Sequence, residues 1–134
     1  MLLTSQAITT PNTLATLPIV LNNGIFSSAD IQANFTFGSG GATVSAWVQT
    51  TFDGGATWVD AANFSFTTAS AIKVFNLNAN TGVVAPITPT NGTLTANTAV
   101  AEMIGNRWRV LLTTTGTYSN TTLRIDIAPR GPFQ

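Results

Sequence analysis

Five side chains in this sequence carry a carboxylate, Asp30, Asp53, Asp60, Glu102 and Asp126, and none carries an imidazole or a thiol. Without His there is no imidazole base, no Ser-His-Asp triad and no common transition-metal ligand. Without Cys there is no disulfide, thiolate nucleophile, zinc knuckle or iron–sulfur cluster. Glycoside hydrolysis needs only two carboxyls, held about 5–9.5 Å apart across a cleft. Asp53 and Asp60 lie near one hairpin and come nearest to such a pair, but Asp53 is expected to be committed to its turn. Asp126 is expected opposite Arg109. A calcium loop of the Asp-x-Asp-x-Asp kind is absent from the sequence. The residues therefore point away from an enzyme, with no catalytic, cofactor-binding or metal-binding residue to assign.

The cations give a similar result. Arg107-Trp108-Arg109 with Arg124 has the Arg-plus-aromatic character of a single-strand nucleic-acid surface. On a strand, however, Trp108 points away from both arginines, and five basic residues balance five acidic ones. A neutral chain has no long-range field to gather nucleic acid or an anionic membrane. Trp108 reads as core, and Arg109 as half of a surface ion pair with Asp126.

The sharpest local motif is Thr51-Phe52-Asp53-Gly54-Gly55-Ala56-Thr57-Trp58. It resembles the Asp-box hairpin, Ser/Thr-x-Asp-x-Gly-x-Thr-Trp, of sialidases and other β proteins. The Thr51 and Thr57 hydroxyls and the Asp53 carboxylate can accept loop N–H bonds. Gly55 supplies a positive φ, and Trp58 packs beneath the turn. In sialidases the box recurs and lies away from the catalytic site. Here it occurs once, so it implies a hairpin and no activity.

The elements that must hold these residues are strands. Charged residues are 7% of the 134, and Thr, Ala, Asn and Gly take their place. Thr, Val, Ile and Phe suit a pleated surface and Asn and Gly suit turns, while the charged helix formers are scarce. No window reaches the ~18 apolar residues of a membrane span, and the N-terminus does not read as a signal peptide. Residues 1–24, with Pro11 and Pro18 and a turn at Asn22-Asn23-Gly24, read as an N-terminal arm or irregular edge strand. Residues 25–134 read as a single β-sandwich domain.

Within that domain Ile31, Ala33, Phe35 and Phe37 share one face, as do Val44, Ala46, Val48 and Phe52. Phe64 and Phe66 follow, then a strand from about Ala71 to Leu77. Residues 78–98, with Pro86, Pro89 and Asn91-Gly92, read as a long loop with at most one short strand. Trp108, Val110 and Leu112 face Leu123, Ile125 and Ile127 in an expected hairpin, which sets Arg109 beside Asp126. The tail from Ala128 onward is expected to end the strand. Short strands at this spacing predict an all-β, antiparallel, jelly-roll-like sandwich.

The stretch from about Thr43 to Arg130 also resembles a family of small proteins encoded among tailed-bacteriophage virion genes. The phrases that carry the likeness are Ala46-Trp47-Val48-Gln49-Thr50, Asp53-Gly54-Gly55-Ala56-Thr57-Trp58, Phe64-Ser65-Phe66-Thr67-Thr68-Ala69-Ser70 and Asn106-Arg107-Trp108-Arg109-Val110. The resemblance implies a non-enzymatic virion component, such as a capsid decoration or other head or tail accessory protein. Its partner would be the major capsid protein or another virion protein, and a homo-oligomer, a trimer, is expected. Candidate contact residues are Ile8 and Leu14 in the arm, Trp47 on the polar face of its strand, and Val84 and Ile87 in the long loop. The alternative is a tail or baseplate module that binds host glycan on a platform of Trp47 and Tyr118.

Overall fold

The computed structural model describes residues 1–21 and 26–131. Strands β1 (Leu2–Ile8), β2 (Asn12–Thr16), β3 (Val20–Leu21), β4 (Ser28–Thr36), β5 (Ser39–Gly40) and β6 (Thr43–Thr51) form the first half. Strands β7 (Val59–Phe66), β8 (Ala71–Asn78), β9 (Arg107–Thr115), β10 (Tyr118–Ser119) and β11 (Thr121–Arg130) form the second. One sheet has the order β1-β11-β4-β8, and the other β2-β9-β6-β7 with β3 also on β9. All ladders are antiparallel.

This order has a simple origin. Take β1, β2, β4, β6, β7, β8, β9 and β11 as one long ribbon folded back at the β6–β7 turn. Its successive rungs are β6 with β7, β4 with β8, β2 with β9, and β1 with β11. Rolling the ribbon joins β9 to β6 and β11 to β4, and produces the two sheets. That is the jelly roll, an eight-strand double sheet.

The core lies between the sheets and is built from the alternate residues of each strand. Ile31, Ala33 and Phe35 meet Val44, Ala46 and Val48, with Phe64, Trp108, Val110, Leu123, Ile125 and Ile127, all buried. Phe35 stacks on Phe66 at 4.8 Å and meets the Tyr118 ring edge-on at 6.0 Å, geometries that aromatic pairs prefer. Gly41 permits this arrangement, because a Cβ there would fall 2.3 Å from the Tyr118 ring.

Several local expectations change. The first twenty-one residues take the edge-strand alternative: β1 lies on β11, β2 and β3 lie on β9, and Leu3 and Ile8 enter the core. The Asn22-Asn23-Gly24 turn lies outside the described residues. Strands β9 and β11 are not a hairpin. They belong to opposite sheets and face each other across the core, with Tyr118-Ser119 crossing between them as a short ribbon with β5. Alternation specifies which side chains point inward, and both arrangements put the same six residues in one core. Phe52 is 62% exposed because β6 stops at Thr51 and Phe52 stands on the turn. Strand β11 also continues through Pro129 to Arg130. Its pairing with β1 reaches no further than Asp126, so Pro129 sits where β11 has β4 on one side only, a position that tolerates proline.

Candidate interaction faces

The Asp-box turn forms as its residues require. Asp53 Oδ1 accepts from the Thr57 N–H at 2.8 Å and from the Thr51 hydroxyl at 2.9 Å, and Gly55 N–H donates to Thr51 Oγ1 at 3.0 Å. These bonds, the Thr57 N–H first, hold the Asp53 carboxyl below the ordinary carboxylate range. Gly55 has φ of 104°, a backbone that favours glycine. Trp58 is buried, and the Arg109 guanidinium lies 4.6 Å above its ring, within cation–π range. Arg109 Nε donates to Gln49 Oε1 at 2.7 Å. Arg109 is thus not the partner of Asp126, which pairs with Arg124 on its own strand at 2.8 Å.

The outer face of the β2-β9-β6-β7 sheet is organised around Asp60. A register shift opposite Val48/Gln49 leaves Ala61 as an extra residue in β7. Unbroken pairing would send Asp60 into the core; the bulge turns it onto the outer face beside Gln49. There the carboxylate is fully buried. It accepts from Gln49 Nε2 at 2.8 Å, Thr90 Oγ1 at 2.8 Å, and the N–H groups of Gly92, Thr93 and Leu94 at 2.8–3.1 Å. Burial pushes its pKa up, but these bonds, led by the Gly92 N–H, outweigh burial and hold the group below the ordinary value. Gly92, with φ of +78°, lets three successive N–H groups converge on one anion.

Around this anchor the long segment 79–106 lies along the sheet as a strap. Asp60 N–H donates to Thr90 O, Asn63 N–H to Thr98 O, and Val100 N–H to Ala61 O, each at 2.8 Å, so the strap also closes the free edge of β7. Asn63, itself buried, accepts from the Asn97 N–H at 3.1 Å. Trp47 Nε1 donates to Leu94 O at 3.1 Å. Trp47 is therefore half-buried under the chain's own strap, which makes this strand covered on both faces. The acid–amide network of Asp60, Gln49 and Asn91 is absent from the sequence reading. Its one sequence signal is Asn91-Gly92, a turn pair in a segment without apolar periodicity.

The opposite face, the outside of β1-β11-β4-β8, is bare among the described residues. Ile72 is 61% and Val74 57% exposed on β8, and Leu2 is exposed on β1. Between them run two ion pairs: Arg124 with Asp126, and Arg130 with Asp30 at 3.1 Å. Asn76 also donates to Asp30 at 2.7 Å, and this bond, then Arg130, draws the Asp30 pKa down. A shallow concavity of ≈ 440 Å³ lies here, bounded by Met1, Asp30, Val74, Asp126 and Arg130. Four of the ten charged side chains thus sit on one face, already neutralised within it.

Family models, curated proteins and solved structures contain no match to this chain.

The five candidate contact residues are scattered. Ile8 is buried in the core and unavailable to a partner, because β1 is part of the sheet. Leu14 is exposed on β2 with φ of 46°. Trp47 is under the strap, Ile87 is partly covered, and Val84 is fully exposed. The glycan platform is not assembled: Tyr118 is buried, its hydroxyl donating to Thr67 O at 2.7 Å. Leu2, Ile72 and Val74 are not among the sequence candidates; on β8, Ile72 and Val74 alternate with Lys73, Phe75 and Leu77, so apolar residues fall on both faces of the strand.

Proposed function

We propose that this chain is a non-enzymatic structural protein of a tailed-phage particle, a capsid decoration protein that lays the bare face of its β1-β11-β4-β8 sheet against the shell. The supporting observation is the unequal treatment of the two sheet faces. One is covered by the chain's own strap over Trp47, with Leu14 and Leu21 left exposed at its β2/β3 edge, while the other has no covering segment among the described residues and keeps Ile72, Val74 and Leu2 in solvent. Ile72 and Val74 are neighbours on β8, and Leu2 lies at the opposite edge of the same face on β1; paired exposed apolar side chains beside polar neighbours suit a contact surface. Because its ion pairs are satisfied internally, the face can be covered without leaving a lone charge desolvated. Copy number in a symmetric shell then multiplies a modest contact through effective concentration.

The virion setting is supported by the phrases from Ala46 to Val110 and, by fold-level analogy only, by the jelly roll, an architecture used for capsid and lectin domains. The glycan alternative has less support, since Trp47 and Tyr118 are engaged within the chain. The test is binding of the purified chain to capsids that lack it. Ile72→Lys with Val74→Lys is expected to weaken binding at least tenfold while leaving thermal unfolding unchanged. Retained binding by that variant would refute the face assignment. Labelled chain found only at the tail tip would refute decoration, as would capsids equally resistant to heat and low salt without it.

A further inference from the structure

We infer that the outer edge of β1 is a pairing site for a second copy of this chain, joining two sandwiches through an antiparallel β1–β1 ladder across a two-fold axis. A sheet edge presents a row of unpaired N–H and C=O groups, and proteins normally protect such edges with charge, proline, bulges or a covering segment. The four edges of this sandwich differ sharply in that respect. The β7 edge is closed by backbone bonds to Thr90, Thr98 and Val100 of the strap. The β8 edge carries the only lysine, Lys73, whose Nζ reaches across to Ser65 O and Asn97 Oδ1. The β2 edge is broken by a register shift and by the positive φ of Leu14, and lies between Pro11 and Pro18.

The β1 edge has only one such device. Its seven residues, Leu-Leu-Thr-Ser-Gln-Ala-Ile, contain no charge and no proline, and β11 is its only strand partner among the described residues. The one irregularity, between Leu2 and Thr4, lies at its start, so Thr4 to Ile8 keep regular register with Ile125 to Thr121.

A second copy fits this edge better than a foreign strand for two reasons. An antiparallel strand laid on itself about a two-fold axis is complementary to itself by symmetry, each edge N–H of one copy meeting an edge C=O of the other. The edge is also free of the charge that would make two identical copies repel, and Arg124 on the neighbouring strand is neutralised by Asp126. Ser5, the middle residue of the strand, is exposed and lies near the axis. The assembly is a dimer, in place of the trimer expected from the sequence, and it leaves the bare sheet faces of both copies open on a continuous eight-strand sheet.

The test uses the full chain in solution. Sedimentation is expected to give a concentration-dependent dimer. Ser5→Lys places like charges opposite each other across the ladder and is expected to weaken dimerisation at least tenfold without lowering the melting temperature of the monomer. Because the chain has no native cysteine, Ser5→Cys reads proximity directly. Under mild oxidation it is expected to give a disulfide dimer at concentrations where a Val84→Cys control stays monomeric. A chain monomeric at every soluble concentration would overturn the inference. So would a trimer, a dimer indifferent to Ser5→Lys, or equal cross-linking of the two cysteine variants. These outcomes are independent of shell binding, which the Ile72 and Val74 substitutions test separately.

Discussion

Asp60 holds five donor groups on one buried carboxylate: Gln49, Thr90, and the backbone of Gly92, Thr93 and Leu94. Asp60→Ala leaves the three backbone N–H groups without an acceptor; at about 1–3 kcal/mol for a buried unsatisfied group, partly relieved by water, a loss of about 2–4 kcal/mol is expected. Denaturant unfolding measures it. The same carboxylate makes stability depend on pH. Its folded pKa lies below its unfolded value, so its contribution is complete above the ordinary carboxyl pKa of about 3.9 and is lost as pH falls through the folded value. Thermal melts from neutral to strongly acidic pH are expected to show a falling acid limb that is shallower in Asp60→Asn. Arg109 faces this carboxylate from β9, and burial draws its own pKa down, but its guanidinium stays charged throughout that range. The roles of Asp53 and Trp58 were readable in advance because their bonds are local, within a few residues. Those of Asp60 and Arg109 were not, because most of their partners lie dozens of positions away and nothing in local spacing points to them.

Among elements, the strap has two unlike parts. From Thr90 to Val100 it is tied by Asp60, by Asn63 and by backbone bonds to β7, whereas Val83 and Val84 near its start are exposed. Limited proteolysis with a broad-specificity protease is expected to nick 81–86 first and to spare 90–100. In Asp60→Ala the protected stretch is expected to become cleavable as well, and Trp47 emission to shift to the red as its cover loosens. Equal cleavage along the whole strap in the unaltered chain would show that the anchor does not hold. Strand positions were legible because β4, β6, β9 and β11 each alternate cleanly, and their inward residues are the observed core. Strand partners were less so: β9 and β11, separated only by the short β10, carry matching patterns, yet the Tyr118 crossing sends them to opposite sheets. Alternation encodes a face; the choice between a hairpin and a crossing is made by the turn and by which strands compete for each edge.

At the scale of the molecule the jelly roll makes nearly every ladder non-local. The first and last strands close it together, β1 against β11 with Met1 bonded through both its amine and its carbonyl to Ile127. Such topologies fold slowly, in milliseconds to seconds, because distant segments must meet before any ladder contributes. The scarcity of charge that marks the composition has a counterpart here. Four charged side chains sit on the bare face, Asp53 and Asp60 organise the Asp-box turn and the strap, and Lys73 and Arg109 span gaps between elements. The adjacency of Met1 and Ile127 has a further consequence. The order in which the chain runs through this fold is separable from the fold itself. Joining the two ends with a short flexible tether and reopening the chain between Val83 and Val84 gives a circular permutant in which every ladder is intact, with new ends in the strap's exposed part. Such a permutant is expected to keep the far-ultraviolet spectrum of the original and to unfold within a few degrees of it, and it would carry any fused segment on the exposed part of the strap.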